Sequence, residues 1–299
     1  MSFIETEFAI MAIYVVLAAS FDLIIGRGGM FSISHAAFFA IGAYTAAQLN
    51  AAFGVPILLG WVAAAALSAL LSLLLAAVAV RVTSDYLIIA SFGFLTIVLA
   101  VIANAPVLTG GNVGISGIPA PAIGPFSLDS TLSYAIAYVL LAALVVVFLL
   151  YLVRSPFGRS LKAIRDSQSG AEALGKSPSR AKLWVFSIAG GFAGIAGAMY
   201  ASFISYISPD AFGSSVNTLI FAMVFVGGAG SILGAVIGAI VLTWVPALIS
   251  LASLPPALLG SLEQIAYGVV LVGIVIGAPG GLSQLGARLF RRRGQEVAR

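Results

Sequence analysis

Cysteine is absent from the 299 residues, histidine occurs once, and only 8% of the side chains are charged. Each scarcity removes a class of function. Without cysteine there are no disulfides, thiolate metal ligands or thiol nucleophiles, and the sequence carries no mark of a redox compartment. No paired carboxylates, metal-ligand cluster or nucleophile with a neighbouring base is visible, so the expectation is a non-enzymatic chain with no cofactor and no metal. Soluble domains carry about 25% charged residues. A chain that is 61% hydrophobic and so poorly charged reads as an integral membrane protein. Its net charge of +4 is concentrated in a central segment and a basic tail, 288–299. That distribution reports membrane orientation and calls for no nucleic-acid partner.

What is abundant fits the same solvent. There are 33 glycines, and small residues let helices approach closely within a bilayer. Apolar runs at 8–25, 30–49, 56–80, 86–104, 131–153, 183–204, 231–251 and 262–277 are the expected spans. Asn217 opens an apolar stretch, 217–226, that is too short to cross alone, since a crossing needs about 20 apolar residues. The predicted fold class is all-α: one polytopic bundle over 1–299 of about 8–10 transmembrane segments, with broken or re-entrant helices. Nine crossings result if 217–226 spans obliquely, and seven plus a re-entrant hairpin if it does not. Glycine-rich breaks at 26–29 and 227–230 fall in corresponding places of the two halves. This is a weak internal repeat of the kind that marks transporters. Segment 105–130, rich in Gly and Pro, reads as an external loop packed partly on the protein. The first seven residues hold Glu5 and Glu7 and no basic side chain, unlike the start of a cleaved leader.

Orientation follows from 154–182, the one long polar stretch between apolar blocks. It holds seven basic residues against Asp166 and Glu172, and such a loop stays on the cytoplasmic side. The N-terminus is then external and the C-terminus cytoplasmic, with Arg288, Arg291, Arg292 and Arg293 anchoring the tail. Within the loop, Ser155-Pro156 pairs an N-cap with a first-turn proline and predicts a helix to about Gln168. Ser169 and Glu172 are spaced as a capping box for a second turn over 170–174, stopping at Gly175. Ser177-Pro178 starts the next span. Two short helices make a basic knob suited to docking a soluble partner.

The same stretch contains a decoy, since 170–177 matches the phosphate-loop pattern G-x-x-x-x-G-K-[ST] letter by letter. A phosphate loop needs a buried strand before it and a helix opening at the lysine. Arg165 to Ser169 is no buried strand and Pro178 follows at once, so no nucleotide site is expected.

Three polar features sit inside the spans. Asp22 lies near the end of the first and reads either as a functional intramembrane acid or as a structural pair with Arg27; its place within about one turn of the span's end favours the pair. His35, with Ser32 and Ser34 just after the glycine break, is either an interhelical hydrogen bonder or a polar step on a translocation pathway. Glu263 opens the last span. Proton or sodium coupling would have to use Asp22 and Glu263, both near span ends, which weighs against an ion-coupled secondary transporter.

Three stretches carry a family resemblance: Ser32-Ile-Ser-His35-Ala-Ala-Phe-Phe-Ala-Ile-Gly42-Ala-Tyr44; Ser155-Pro-Phe-Gly158-Arg-Ser-Leu-Lys-Ala-Ile-Arg165-Asp with Ala171-Glu-Ala-Leu-Gly175; and Ser208-Pro-Asp210 followed by Gly227-Gly-Ala-Gly-Ser231. They resemble the LivM-type permeases of branched-chain amino acid ABC importers. The chain departs from that pattern at Met30, where the family commonly has Gln, and at Ser34, where it has Gly. The resemblance implies a permease in the bacterial inner membrane, its N-terminus periplasmic. It also implies a heterodimer with a second permease, two cytoplasmic ATPases and a periplasmic substrate-binding protein. Related permeases serve urea and short amides. By the same resemblance, 154–182 is the ATPase-coupling loop. Its coupling residues would be Phe157, Gly158, Arg159, Ala163, Ile164, Arg165, Asp166, Glu172, Ala173, Leu174 and Gly175, and ATP would be bound by the partners.

Overall fold

The computed structural model describes residues 3–82, 84–123, 126–127 and 130–250, with scattered positions between 265 and 282. Within them the chain is a helical bundle. Its helices are α1 (Phe3–Asp22), α2 (His35–Phe53), α3 (Ile57–Arg81), α4 (Ser84–Asn104), the short α5 (Pro106–Thr109), α6 (Thr131–Arg154), α7 (Pro156–Asp166), α8 (Gln168–Ala173), α9 (Pro178–Ile204), α10 (Ser214–Gly227) and α11 (Ile232–Ser250). Seven of the described helical segments are long and apolar enough to cross a membrane, and Ile232–Pro246 is a shorter apolar helix. Most of the expected last span, 262–277, and the basic tail lie outside the described residues, as do Glu263 and Arg288.

Glycine sets the spacing of the bundle. α9 packs along α2 and α3, and a Cβ on Gly42 would strike the backbone of Gly194, while one on Gly197 would strike Phe39 O. Gly190 meets the Ser72 side chain in the same way. Backbones this close gain dispersion contacts that larger residues would forbid. The α10–α11 pair repeats the device, with Gly227 against Gly234 and Gly238 against Met223 O. Gly230 lies in the turn before α11. α1 runs through the middle, buried over most of its length from Ala12 onward. α6 packs on it and is tied to α9 by the Tyr138 hydroxyl, which donates to Met199 O at 2.9 Å. Large apolar side chains on α3, α4 and α6 such as Val62, Ile89 and Leu140 stay exposed, the surface expected of lipid-facing helices.

Three boundaries differ from the sequence expectation. The second span begins at His35, five residues later than Met30. Gly29 turns the chain with φ +66°, and hydroxyls then take the amides a helix would have used: Ile33 N–H donates to Ser91 Oγ at 2.7 Å and Ser34 N–H to Ser32 Oγ at 3.4 Å. Such side-chain bonds compete with helix formation. The apolar stretch after Asn217 is longer than it looked, because the helix starts at Ser214 and follows a 3-10 turn, Pro209–Phe212. Together, Pro209–Gly227 supply 19 residues, enough for a candidate span. The third difference is in the polar loop, where α8 is capped by Ser167, whose Oγ accepts from Gly170 N–H at 3.1 Å. Ser169 is not its cap, because the preceding helix ends at Asp166 and leaves Ser167 extended at φ −156°. Glu172 reaches back to Gln168 Nε2 at 3.3 Å.

The loop 105–130 is anchored at one end of the bundle. Ile115–Ser116 (β1) pairs antiparallel with Tyr206–Ile207 just after α9, and Ala122–Ile123 pairs with Phe126–Ser127. The polar loop 154–182 caps the opposite end.

Candidate coupling cap and broken-helix junction

α7 is amphipathic by construction. Ser155 Oγ caps it and Pro156 occupies its first turn. Gly158, Leu161 and Ile164 recur every three residues and form its buried face, the spacing that puts side chains on one side of a helix. Gly158 has no room for a side chain, because a Cβ there would enter the Val153 backbone. In α8 only Ala171 is buried. Gly175, at φ +75°, ends that element, and Gly175 N–H returns to Glu172 O at 2.9 Å. Lys182 fixes the far side of the loop by donating to Ala79 O at 3.1 Å, one of the last-turn carbonyls of α3 that no helical amide can reach.

The eleven candidate coupling residues therefore divide. Gly158 and Ile164 face the bundle and Phe157 is half-buried against it. Arg159, Ala163, Arg165, Asp166, Glu172, Ala173, Leu174 and Gly175 are exposed, and Leu174 is 79% exposed although large and apolar. The phosphate-loop match does not form a cradle. Gly170 and Glu172 are inside α8, and α7, not a strand, precedes them.

Ser32, Ser34 and His35 are all fully buried within the chain. His35 Nε2 lies 2.9 Å from Ser20 Oγ, and the Ser20 hydroxyl donates to Leu17 O at 3.0 Å. With that proton committed, Nε2 carries the imidazole hydrogen and Ser20 accepts it. The ring lies against Phe21 at a tilt, centroids 4.9 Å apart, and Nδ1 has no hydrogen-bond partner among the described residues. Ser32 and Ser34 bond each other through their hydroxyls at 2.8 Å. Among the described residues, no group of three or more His, Cys, Asp or Glu side chains could hold a metal.

Sequence reasoning missed where Asp22 goes. Its Oδ1 accepts from the backbone N–H of Gly230 at 2.6 Å, across more than half the chain, while Oδ2 and Arg27 Nε are buried without hydrogen-bond partners among the described residues. Arg27, the expected pairing partner, acts on the carboxylate electrostatically, as does Arg165. Arg165 Nη1 donates to Gly26 O. The two glycine breaks therefore meet each other, directly under α7.

Among the described residues, seven candidate spans, a paired break between α1 and the α10–α11 turn, and a polar helical cap on one end define a polytopic membrane protein. Residues 4–278 match the family described as branched-chain amino acid transport system / permease component, and the chain belongs to that family. It is 32% identical over 255 residues to the high-affinity branched-chain amino acid transport system permease protein LivM of Salmonella typhimurium, covering 77% of this chain and 60% of that one. It is 33% identical over 253 residues to LivM of Escherichia coli, with the same coverage. The autoinducer 2 import system permease protein LsrC of Yersinia enterocolitica is 32% identical over 177 residues, 56% of this chain and 47% of that one. The chain thus spans about 60% of the length of the LivM relatives it matches. No solved structure matches it.

Proposed function

We propose that this chain is the transmembrane permease subunit of an ATP-binding-cassette importer that carries branched-chain amino acids across the bacterial inner membrane. The observation that carries the reading is the α7–α8 cap. Its inner face is buried in the bundle, while Leu174 and Ala173 stand exposed among charged residues on the outer face. An apolar anchor ringed by charge is the composition of a protein-docking site. The partners are a second permease, two cytoplasmic ATPases and an external substrate-binding protein, with the cap and the C-terminus cytoplasmic and the N-terminus periplasmic. Closure of the ATPases pushes the cap, and the spans rock between inward and outward access. The LivM relatives, named for branched-chain amino acid transport, support that substrate class for this chain; the LsrC relatives, named for autoinducer 2 import, keep other substrates within the family's range.

The segment holding Ser32, Ser34 and His35 is assigned to the translocation pathway on the strength of its non-helical backbone between two spans, since irregular backbone at membrane depth is tolerated beside a cavity or inside protein. Because all three are buried here, the assignment requires that another state expose them. Cysteines placed there in this Cys-free chain then react with a small polar thiol reagent in one nucleotide state; inertness in every state removes them from the pathway. For the whole reading, the tagged chain co-purifies with a second permease and ATPases, and vesicles holding the complex take up leucine only when ATP is supplied. Leucine uptake by the chain alone, driven by a proton or sodium gradient, would overturn it.

A further inference from the structure

At the end of α1 the backbone bonds close one after another: Gly28 N–H donates to Leu23 O at 3.0 Å, Met30 to Ile24 O at 3.2 Å and Gly29 to Ile25 O at 3.1 Å. The next carbonyl in the series, Gly26 O, is taken by the Arg165 guanidinium from α7. An orphan carbonyl at a helix end needs such a partner. The arginine's stem lies over Gly29, where a Cβ would meet Arg165 Cγ at 2.8 Å. Its head faces Gly230, where a Cβ would meet Nη1 at 3.1 Å and Gly26 O at 3.2 Å. Asp22 completes the cluster from below by holding Gly230 N–H, and a side chain at Gly26 would collide with both the Asp22 carboxylate and Gly230 N.

We infer that Asp22, Arg165 and the backbones of Gly26 and Gly230 form a latch that carries movement of the cap helix α7 into the junction of α1 with the α10–α11 turn. Asp22 and Arg165 are its positioning residues. The functional consequence rests on the importer reading; the contacts do not. The latch has the parts for a second arrangement. Among the described residues Asp22 Oδ2 is an unused acceptor and Arg27 Nε an unused donor, both buried, and a buried polar group without a partner is costly enough to favour a movement that joins them. Displacing α7 draws Arg165 off Gly26 O and frees the α1 break. That break leads through Met30 into the Ser32 to His35 segment, so a push at the cap reaches the start of α2.

Two measurements test this separately from the importer reading. In the full-length permease in nanodiscs, hydrogen exchange at the Gly230 amide should rise at least tenfold in Asp22→Ala and stay near wild type in Asp22→Asn, which keeps the acceptor. Unchanged exchange in Asp22→Ala would remove the latch, whatever the protein transports. In the assembled complex, wild-type ATP-dependent uptake decides the importer reading. Asp22→Ala should then hydrolyse ATP at half the wild-type rate or more while uptake falls about tenfold, so that ATP consumed per substrate rises. Asp22→Asn, which loses only the charge, gives a smaller rise, and it decides the matter if Asp22→Ala does not insert. Wild-type stoichiometry in Asp22→Asn and in any inserted Asp22→Ala, or uptake and hydrolysis falling in parallel, would make Asp22 a packing residue and end the proposal.

Discussion

Leu174→Asp is the perturbation that bears most directly on the cap. Leu174 closes α8 with φ −88° and ψ 12° and leaves 79% of itself exposed, so its side chain contributes little to the isolated fold. Fully burying a leucine contributes about 1.5–3 kcal/mol. Covering the exposed four-fifths under a docked ATPase should therefore contribute about 1–2 kcal/mol. Aspartate forfeits that gain and brings a charge that must be desolvated or displaced from the interface, roughly another 1–2 kcal/mol. The total of about 2–4 kcal/mol corresponds to a weakening of docking by roughly 30- to 1,000-fold. The assay is titration of the nanodisc-embedded chain with the purified ATPase of the proposed importer, with the melting temperature of the chain measured beside it. Leu174→Ala should lie between, near tenfold, and neither variant should melt more than about 2 °C below wild type. ATPase affinity within twofold of wild type in Leu174→Asp would refute the argument, because no docking interface that uses this face could ignore a buried carboxylate.

The other expectations concern the decoy, the second helix and the packing. Lys176→Ala should leave docking within about threefold and uptake nearly intact, because one exposed charge contributes about 0–1 kcal/mol, and the pure chain should show no ATP binding in equilibrium dialysis. Glu172→Pro should cut uptake strongly with normal membrane insertion: proline inside α8 removes an amide and clashes with the carbonyl of Gln168, a cost of about 3 kcal/mol against a helix of six residues. Gly42→Val should lower the melting temperature of the isolated chain in detergent by roughly 3–10 °C, since the new side chain meets the Gly194 backbone and α2 and α9 must part. Gly93→Ala, with nothing within 4 Å of the new atom, should leave melting unchanged or slightly raised.

The parts legible in the sequence were those written locally. Composition and run length sufficed for a helical membrane bundle, Ser155-Pro156 for the start of α7, and Gly175 for the end of α8, because caps and breakers act within one turn. The abundance of glycine announced close helix packing, though not which helices meet. Boundaries that failed did so where side chains bond backbone at a distance. Ser91 reaches Ile33 N–H across 58 positions, and nothing near Ser32 announces that a hydroxyl from α4 will hold the segment out of helix. The cap of α8 failed for a different reason. Ser167 and Ser169 are equivalent candidates in a polar string, and only the end of α7 at Asp166 decides between them.

Asp22 shows the limit most plainly. Read locally, an acid five residues before Arg27 invites a pair with it. The structure sends the carboxylate instead to an amide 208 positions away, and sends Arg165 139 positions back to Gly26 O. Both destinations are glycine backbone, which has no side-chain chemistry to flag in a sequence. The sequence does carry the permission for these contacts, in the glycines at 26, 29 and 230, since a Cβ at any of them would occupy the space the latch uses. The two glycine breaks look like a repeat when the halves are compared, and in the folded chain they are two sides of one contact. The correspondence of the two breaks therefore has mechanical content here. The two interruptions sit at the same end of the bundle, where the acid binds the backbone of one and the arginine that of the other, and in the proposed latch a single displacement of α7 acts on both breaks together.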